Sequence, residues 1–218
     1  MVQSETHEHV WDFKSCALIV AHPDDEILWA GGTILMHPDC NWTVAALCRA
    51  SDADRCAKFF QVVEHLNVSG QMGDLDDGPE QTPLDNLEVQ STILSLLPSD
   101  RFDLIITHNL CGEYTRHLRH EETGQAVRVL WESGRLSAEE MWMFAYEDGQ
   151  GKYLPRAMEG ADIFTVVPEE LWQQKYGIIT GIYGFERDSF EAKSTPRQEA
   201  FWRFKSSGEV KNRLNKRV

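Results

Sequence analysis

Apolar and polar positions fall into blocks along the chain, and the period changes from block to block. Continuous apolar runs, of the kind buried on both faces of a parallel sheet, lie at about 16–21, 42–48 and 102–107. Between them apolar residues recur three and four apart, which is helical spacing. This predicts helices over about 26–37, from a Ser51 or Asp52 cap to Leu66, and over 87–97. Phe59, Phe60, Val63 and Leu66 form the expected inner face of the second helix. Val89, Ile93, Leu96 and Leu97 form that of the third, and Pro98 stops it. A short strand is expected within 68–75. Asp76-Asp77-Gly78-Pro79 has the composition of a turn but lacks the ligand spacing of an EF-hand loop. A polar loop at 108–116 leads into a helix running from 117 to about 132. Strands at 141–146 and 162–167, a helix from Pro168 carrying Leu171, Trp172, Tyr176 and Ile179, and a terminal helix pinned by Phe201, Trp202 and Phe204 complete the pattern. Residues 1–14 read as a loose lead-in, in which His7 and His9 are incidental. The alternation predicts a single α/β domain over 1–218, doubly wound, with a mostly parallel sheet and helices on both faces.

Gly31 and Gly32 sit inside the first helix, where each costs about 1 kcal/mol relative to Ala. Close approach of the helix backbone to the sheet is the expected reason. No Gly-x-Gly-x-x-Gly turn precedes them, so a phosphate cradle is not expected.

Charge narrows the partners. A formal net charge of -14 disfavours nucleic acid, which needs clustered Lys and Arg. The stretch 203–217 is locally basic and reads as a solvated tail or terminal helix. No apolar run is long enough to cross a membrane, and residues 1–15 show no apolar core of a secretory leader. The five cysteines are odd in number and form no Cys-x-x-Cys pair. A reduced, cytoplasmic setting is therefore expected. The sequence leaves a homo-oligomer open.

Candidate chemistry gathers after two predicted strands. Ala21-His22-Pro23-Asp24-Asp25-Glu26 packs one imidazole and three carboxylates into the turn between strand and helix. One Asp there would be a helix cap. This density of charge at the carboxyl edge of a sheet, where open α/β folds bind ligands, suits a divalent metal. His117 and His120, three apart at the start of a helix, reach the same edge. Arg55, in the first turn of the second helix, projects there too, as a surface ion pair or a site residue. Trp172, Tyr176 and Tyr183 could stack on a sugar ring, although core packing suits aromatics at helical spacing better.

With Ala21 to Glu26, and Thr107-His108-Asn109 leading through Gly112-Glu113-Tyr114 to His-x-x-His, the chain resembles the LmbE-like, PIG-L-type N-acetylglucosaminyl deacetylases. The resemblance runs over about residues 15–185. It implies a Rossmann-like fold and a zinc-dependent hydrolase that removes an acetyl group from an N-acetylated amino sugar or its conjugate. It also implies His22, Asp25 and His120 as zinc ligands, Asp24 as general base, and His117 as a protonated electrostatic partner and acid. Arg55, Asn109 and Tyr114 would then contact substrate. Two departures stand out. Tyr114-Thr115-Arg116-His117 is one residue longer than the family's usual step, so either Tyr114 falls short or the loop bulges. Leu118-Arg119 replaces the usual acidic pair, and Arg119 could meet an anionic substrate group. Glu26 is left as a residue behind the site or a cap. The alternatives are a zinc amidase acting on a thiol or peptide-like conjugate, and a non-catalytic α/β binding module. A His, His, Asp set also accepts iron or cobalt.

Overall fold

The structure, a computed structural model, describes residues 11–214; the expectation for His7 and His9 and the end of the basic tail lie outside them. In chain order the elements are β1 (Ser15–Val20), α1 (Asp25–Met36), β2 (Asn41–Cys48), α2 (Ala53–Leu66), β3 (Ser69–Leu75), α3 (Asn86–Leu96), β4 (Arg101–Thr107), α4 (Leu118–Glu132) and β5 (Ser137–Phe144). Then come β6 (Tyr146–Glu147), β7 (Arg156–Ala157), β8 (Ile163–Val166), α5 (Glu169–Gly177), a π-turn (Ile178–Ile182), α6 (Phe190–Ser194), β9 (Gln198–Phe204) and α7 (Ser207–Leu214).

Seven strands form one sheet in the order β3-β2-β1-β4-β5-β9-β8. The first five are parallel, β9 runs antiparallel to both of its neighbours, and β8 at the edge again points the way of the first five. This is the expected doubly wound, mostly parallel α/β fold. Alternate residues of β1 feed opposite layers. Cys16, Leu18 and Val20 join the core under α1 and α2, whereas Ala17 and Ile19 join the core under α3 and α4. The strand is apolar throughout because both of its faces are covered. Successive connections leave β1 on opposite sides, toward β2 and toward β4, so a crevice opens at their carboxyl ends. Among the described residues no helix is long and apolar enough to cross a membrane.

Three expectations are corrected. The aromatic run near the C-terminus is a strand, not a helix. Phe201 faces one core and Ala200, Trp202 and Phe204 the other, because β9 lies between β5 and β8 with both faces covered. The inner face of α2 carries Phe59 and Val62, while Phe60 is 43% exposed. Arg203 belongs to the sheet rather than a solvated tail, and its guanidinium grips Glu140, with Nε 2.6 Å from Oε2.

The glycine pair does permit a close approach. A Cβ on Gly32 would lie 2.4 Å from Val167 Cγ2 and 3.0 Å from Glu199 Oε1. The Glu199 carboxylate instead accepts the Gly32 and Thr33 N–H groups, each at 2.7 Å. It also accepts the Lys175 ammonium at 2.6 Å, and both ends of that pair are fully buried.

Candidate active site

The crevice at the ends of β1 and β4 gathers the charged residues. His22 follows β1, Asp24 and Asp25 open α1, and His120 lies in the first turn of α4. Gly124 lets α4 approach, since a Cβ there would fall 2.5 Å from the His108 carbonyl. Three side-chain atoms then meet. His22 Nδ1 lies 3.2 Å from Asp25 Oδ2. His120 Nε2 lies 3.3 Å from His22 Nδ1 and 3.3 Å from Asp25 Oδ2. A tetrahedral zinc with N and O ligands at about 2.0–2.1 Å holds them about 3.3–3.4 Å apart, so the triangle has the edge length that a metal needs.

The outward-facing atoms of the triangle are also occupied. Nε2 of His22 meets Asp77 Oδ1 at 3.1 Å, and Nδ1 of His120 meets Glu113 Oε2 at 2.6 Å. Oδ1 of Asp25 accepts from the Trp29 indole at 2.9 Å. Carboxylates behind ligating imidazoles orient the rings and raise their basicity. In the sequence Asp77 reads as part of a turn and Glu113 as part of a motif, and nothing marks Trp29 as a partner of Asp25. The spacing of Glu113 seven residues before His120 was the one available signal.

His108, fully buried, stacks on His120 with ring centroids 4.0 Å apart. Its Nδ1 faces Glu113 at 2.9 Å and its Nε2 receives the Ala21 N–H at 3.0 Å. A nitrogen that accepts a backbone N–H has no lone pair left for a metal. His108 therefore buttresses the site, although it lies within ligand range of Asp25 and His120.

Asp24 borders the triangle. Its φ is 117°, in the half of backbone space that non-glycine residues rarely enter, at a cost of order 1–3 kcal/mol. Its Oδ2 accepts from Arg55 at 3.2 Å. Burial raises its pKa well above the usual carboxylate range, aided by Asp25 and Glu26 and opposed by Arg55 and His22. Burial also works against the charge on Asp25, but the imidazoles of His120 and His108 outweigh it and hold that carboxyl well below the usual range.

His117 stacks on His120 with centroids 4.3 Å apart, and its buried Nδ1 has no hydrogen-bond partner. Burial, with His120 and His22, pushes its pKa down to about 3. Tyr114 reaches the crevice despite the extra loop residue. Its ring lies 5.4 Å from that of His120 and 5.9 Å from that of His117, and Arg116 takes up the bulge with φ 32°.

His22, Asp24, Asp25, Arg55, Tyr114 and His117 all line one cavity of about 180 Å³, which Arg49 and Phe190 also border. Asn109 stands apart from it. Its amide donates to the Phe144 carbonyl at 3.0 Å and its Oδ1 accepts the Cys111 N–H at 3.1 Å, so it braces the loop. Arg119, 1% exposed, donates to the Asp76 and Thr82 carbonyls at 2.5 and 2.8 Å and pairs with Glu122. It ties down the 76–82 loop and cannot meet substrate. Trp172 and Tyr176 stack on each other, under Arg197, away from the cavity.

The family model described as PIG-L, GlcNAc-PI de-N-acetylase, matches residues 17–131. An uncharacterised protein of Acanthamoeba polyphaga mimivirus is 22% identical over 120 residues, 48% of this chain and 52% of that one, so the chain spans about half the length of that relative. Among solved structures, N,N'-diacetylchitobiose deacetylase from Pyrococcus horikoshii superposes with a TM-score of 0.67 at 14% identity, over 89% of this chain and 85% of that one. A deacetylase of the teicoplanin biosynthetic pathway gives 0.60 at 16%, over 88% and 98%. The 4-carboxy-2-hydroxymuconate hydratase of Pseudomonas putida gives 0.58 at 15%, over 87% and 95%. At these identities the structures speak for the fold alone, and the fold carries more than one chemistry.

Proposed function

Because the chain belongs to the PIG-L family of GlcNAc-PI de-N-acetylases, we propose that it is a zinc-dependent hydrolase that removes the acetyl group from an N-acetylated amino sugar or its conjugate. The observation that carries this reading is the triangle of His22 Nδ1, Asp25 Oδ2 and His120 Nε2, with edges of 3.2–3.3 Å and a hydrogen-bond partner behind each residue. Two nitrogens and one carboxylate oxygen, with the fourth direction open to a cavity, is the donor set of a catalytic zinc.

A zinc held there by His22, Asp25 and His120 would supply Lewis-acid polarisation of an amide carbonyl and a lower pKa for water. Asp24, with its raised pKa, takes the proton of the attacking water and carries it to the amine nitrogen as the C–N bond breaks. Arg55 holds Oδ2 of Asp24, which leaves the other carboxylate oxygen for that transfer. His117 and the Tyr114 hydroxyl border the cavity where the carbonyl oxygen gains charge, and each can offer a hydrogen bond there. Acetate and a free amine leave. The odd number of cysteines and the lack of a Cys-x-x-Cys pair support a reducing, cytoplasmic setting for the enzyme.

The test is acetate release from a panel of N-acetylated amino sugars and their conjugates, with Asp24→Asn as control. Zinc-dependent release is expected, about 10²- to 10⁴-fold slower in the variant, which keeps its metal. No release above the variant overturns the substrate class. Release confined to thiol or peptide-like acyl conjugates moves the enzyme to that amidase class.

A further inference from the structure

We propose that Tyr183 and Phe185, presented by the π-turn that ends α5, are positioning residues that hold Asp24 in its working geometry through Glu26 and Arg55. The inference rests on Asp24 being the proton-transfer group of the reading above.

A non-glycine residue at φ 117° needs outside restraint, and two restraints meet at Asp24. On the backbone side, its N–H donates to Glu26 Oε2 at 2.9 Å. The Glu26 carboxylate is buried, and its other oxygen accepts the Tyr183 hydroxyl. On the side-chain side, Oδ2 of Asp24 accepts from Arg55, whose guanidinium lies 4.6 Å over the Phe185 ring. Both restraints end on one segment. Tyr183 N–H bonds to the Ile178 carbonyl at 3.0 Å and Phe185 N–H to Ile179 at 3.2 Å, with Gly184 between them at φ 75°. The wider π-turn changes the direction in which the residues after it face, and here it sends Tyr183 toward Glu26 and Phe185 toward Arg55. The segment lies beyond the 17–131 stretch that the family model matches.

The experiment compares wild type, Asp24→Asn, Tyr183→Phe, Glu26→Gln and Glu26→Leu by kcat and KM for acetate release, zinc content, thermal midpoint and the crystal structure of Tyr183→Phe. Gln keeps an oxygen for the Asp24 N–H and an amide for Tyr183. Glu26→Gln is therefore expected to stay within about threefold of wild-type kcat, and Glu26→Leu to fall about 100-fold, on the scale by which misplacement slows a reacting group. Tyr183→Phe is expected to lower kcat about 10-fold, with KM and zinc content unchanged and Asp24 shifted away from φ 117°. A merely structural role would lower the thermal midpoint and leave the kcat of folded enzyme alone. Wild-type kcat in Tyr183→Phe, while Asp24→Asn is inactive, overturns the proposal even if Glu26→Leu fails to fold. If wild type and Asp24→Asn release acetate alike, the functional reading fails instead. The Asp24 backbone of the Tyr183→Phe crystal structure then decides whether the restraint exists.

Discussion

Replacing Glu113 by Gln removes one charge and almost no volume, yet it should loosen the proposed zinc site. The carboxylate is 1% exposed and accepts from three donors: His120 Nδ1 at 2.6 Å, His108 Nδ1 at 2.9 Å and the Asn109 N–H at 2.9 Å. A Gln amide has one oxygen and one NH₂, so either orientation sets N–H groups against a donor. The relief open to His120 is to move its proton from Nδ1 to Nε2. Nε2 is the atom of the triangle, 3.3 Å from both His22 Nδ1 and Asp25 Oδ2, so a metal must then displace a proton to bind. Loss of such a partner typically weakens metal affinity about 10- to 100-fold, or about 1.4–2.8 kcal/mol at about 1.4 kcal/mol per decade. Competition of zinc between the protein and a chromophoric chelator at fixed pH measures it, with the thermal midpoint of metal-free protein as a check on folding. Affinity within a factor of two of wild type would show that Glu113 does not set the His120 tautomer.

Three further outcomes concern the scaffold. Gly32→Ala should destabilise by about 1–3 kcal/mol, the usual range for overpacking, because its Cβ would meet Val167 Cγ2 at 2.4 Å; urea unfolding reads this out. Lys175→Met leaves the buried Glu199 carboxylate without its cation, which should cost about 3–5 kcal/mol, and Lys175→Met with Glu199→Gln should recover part of it. A thiol reagent should label exposed Cys111 in the native protein, whereas buried Cys16, Cys40 and Cys48 should react only on unfolding.

What could be read from the chain depends on how local each feature is. The turn after β1 stood out as a site because four ionisable groups in five residues exceed what a helix cap needs. β1, β2 and β4 were legible because continuous apolar runs separated by helical spacing admit few folds. β9 was not, since Phe201-Trp202-Phe204 suits a helix as well as a strand. Phe60 and Val62 exchange places because a shift of a few tens of degrees in how α2 rolls on the sheet decides which is covered. The partners behind the triangle lay out of reach for another reason. Asp77 is 55 residues from His22, and only the placement of the loop after β3 beside β1 brings them together. The same loop explains Arg119, whose charge looked available for substrate until its carbonyl partners at Asp76 and Thr82 were in place.

The proposed zinc binds where three named atoms converge, and an anomalous difference map at the zinc edge, from crystals of protein purified without chelator, tests this directly. One strong peak per chain is expected, about 2.0–2.2 Å from each of His22 Nδ1, Asp25 Oδ2 and His120 Nε2. No peak there, or a peak held by His108 in place of His22, would contradict it.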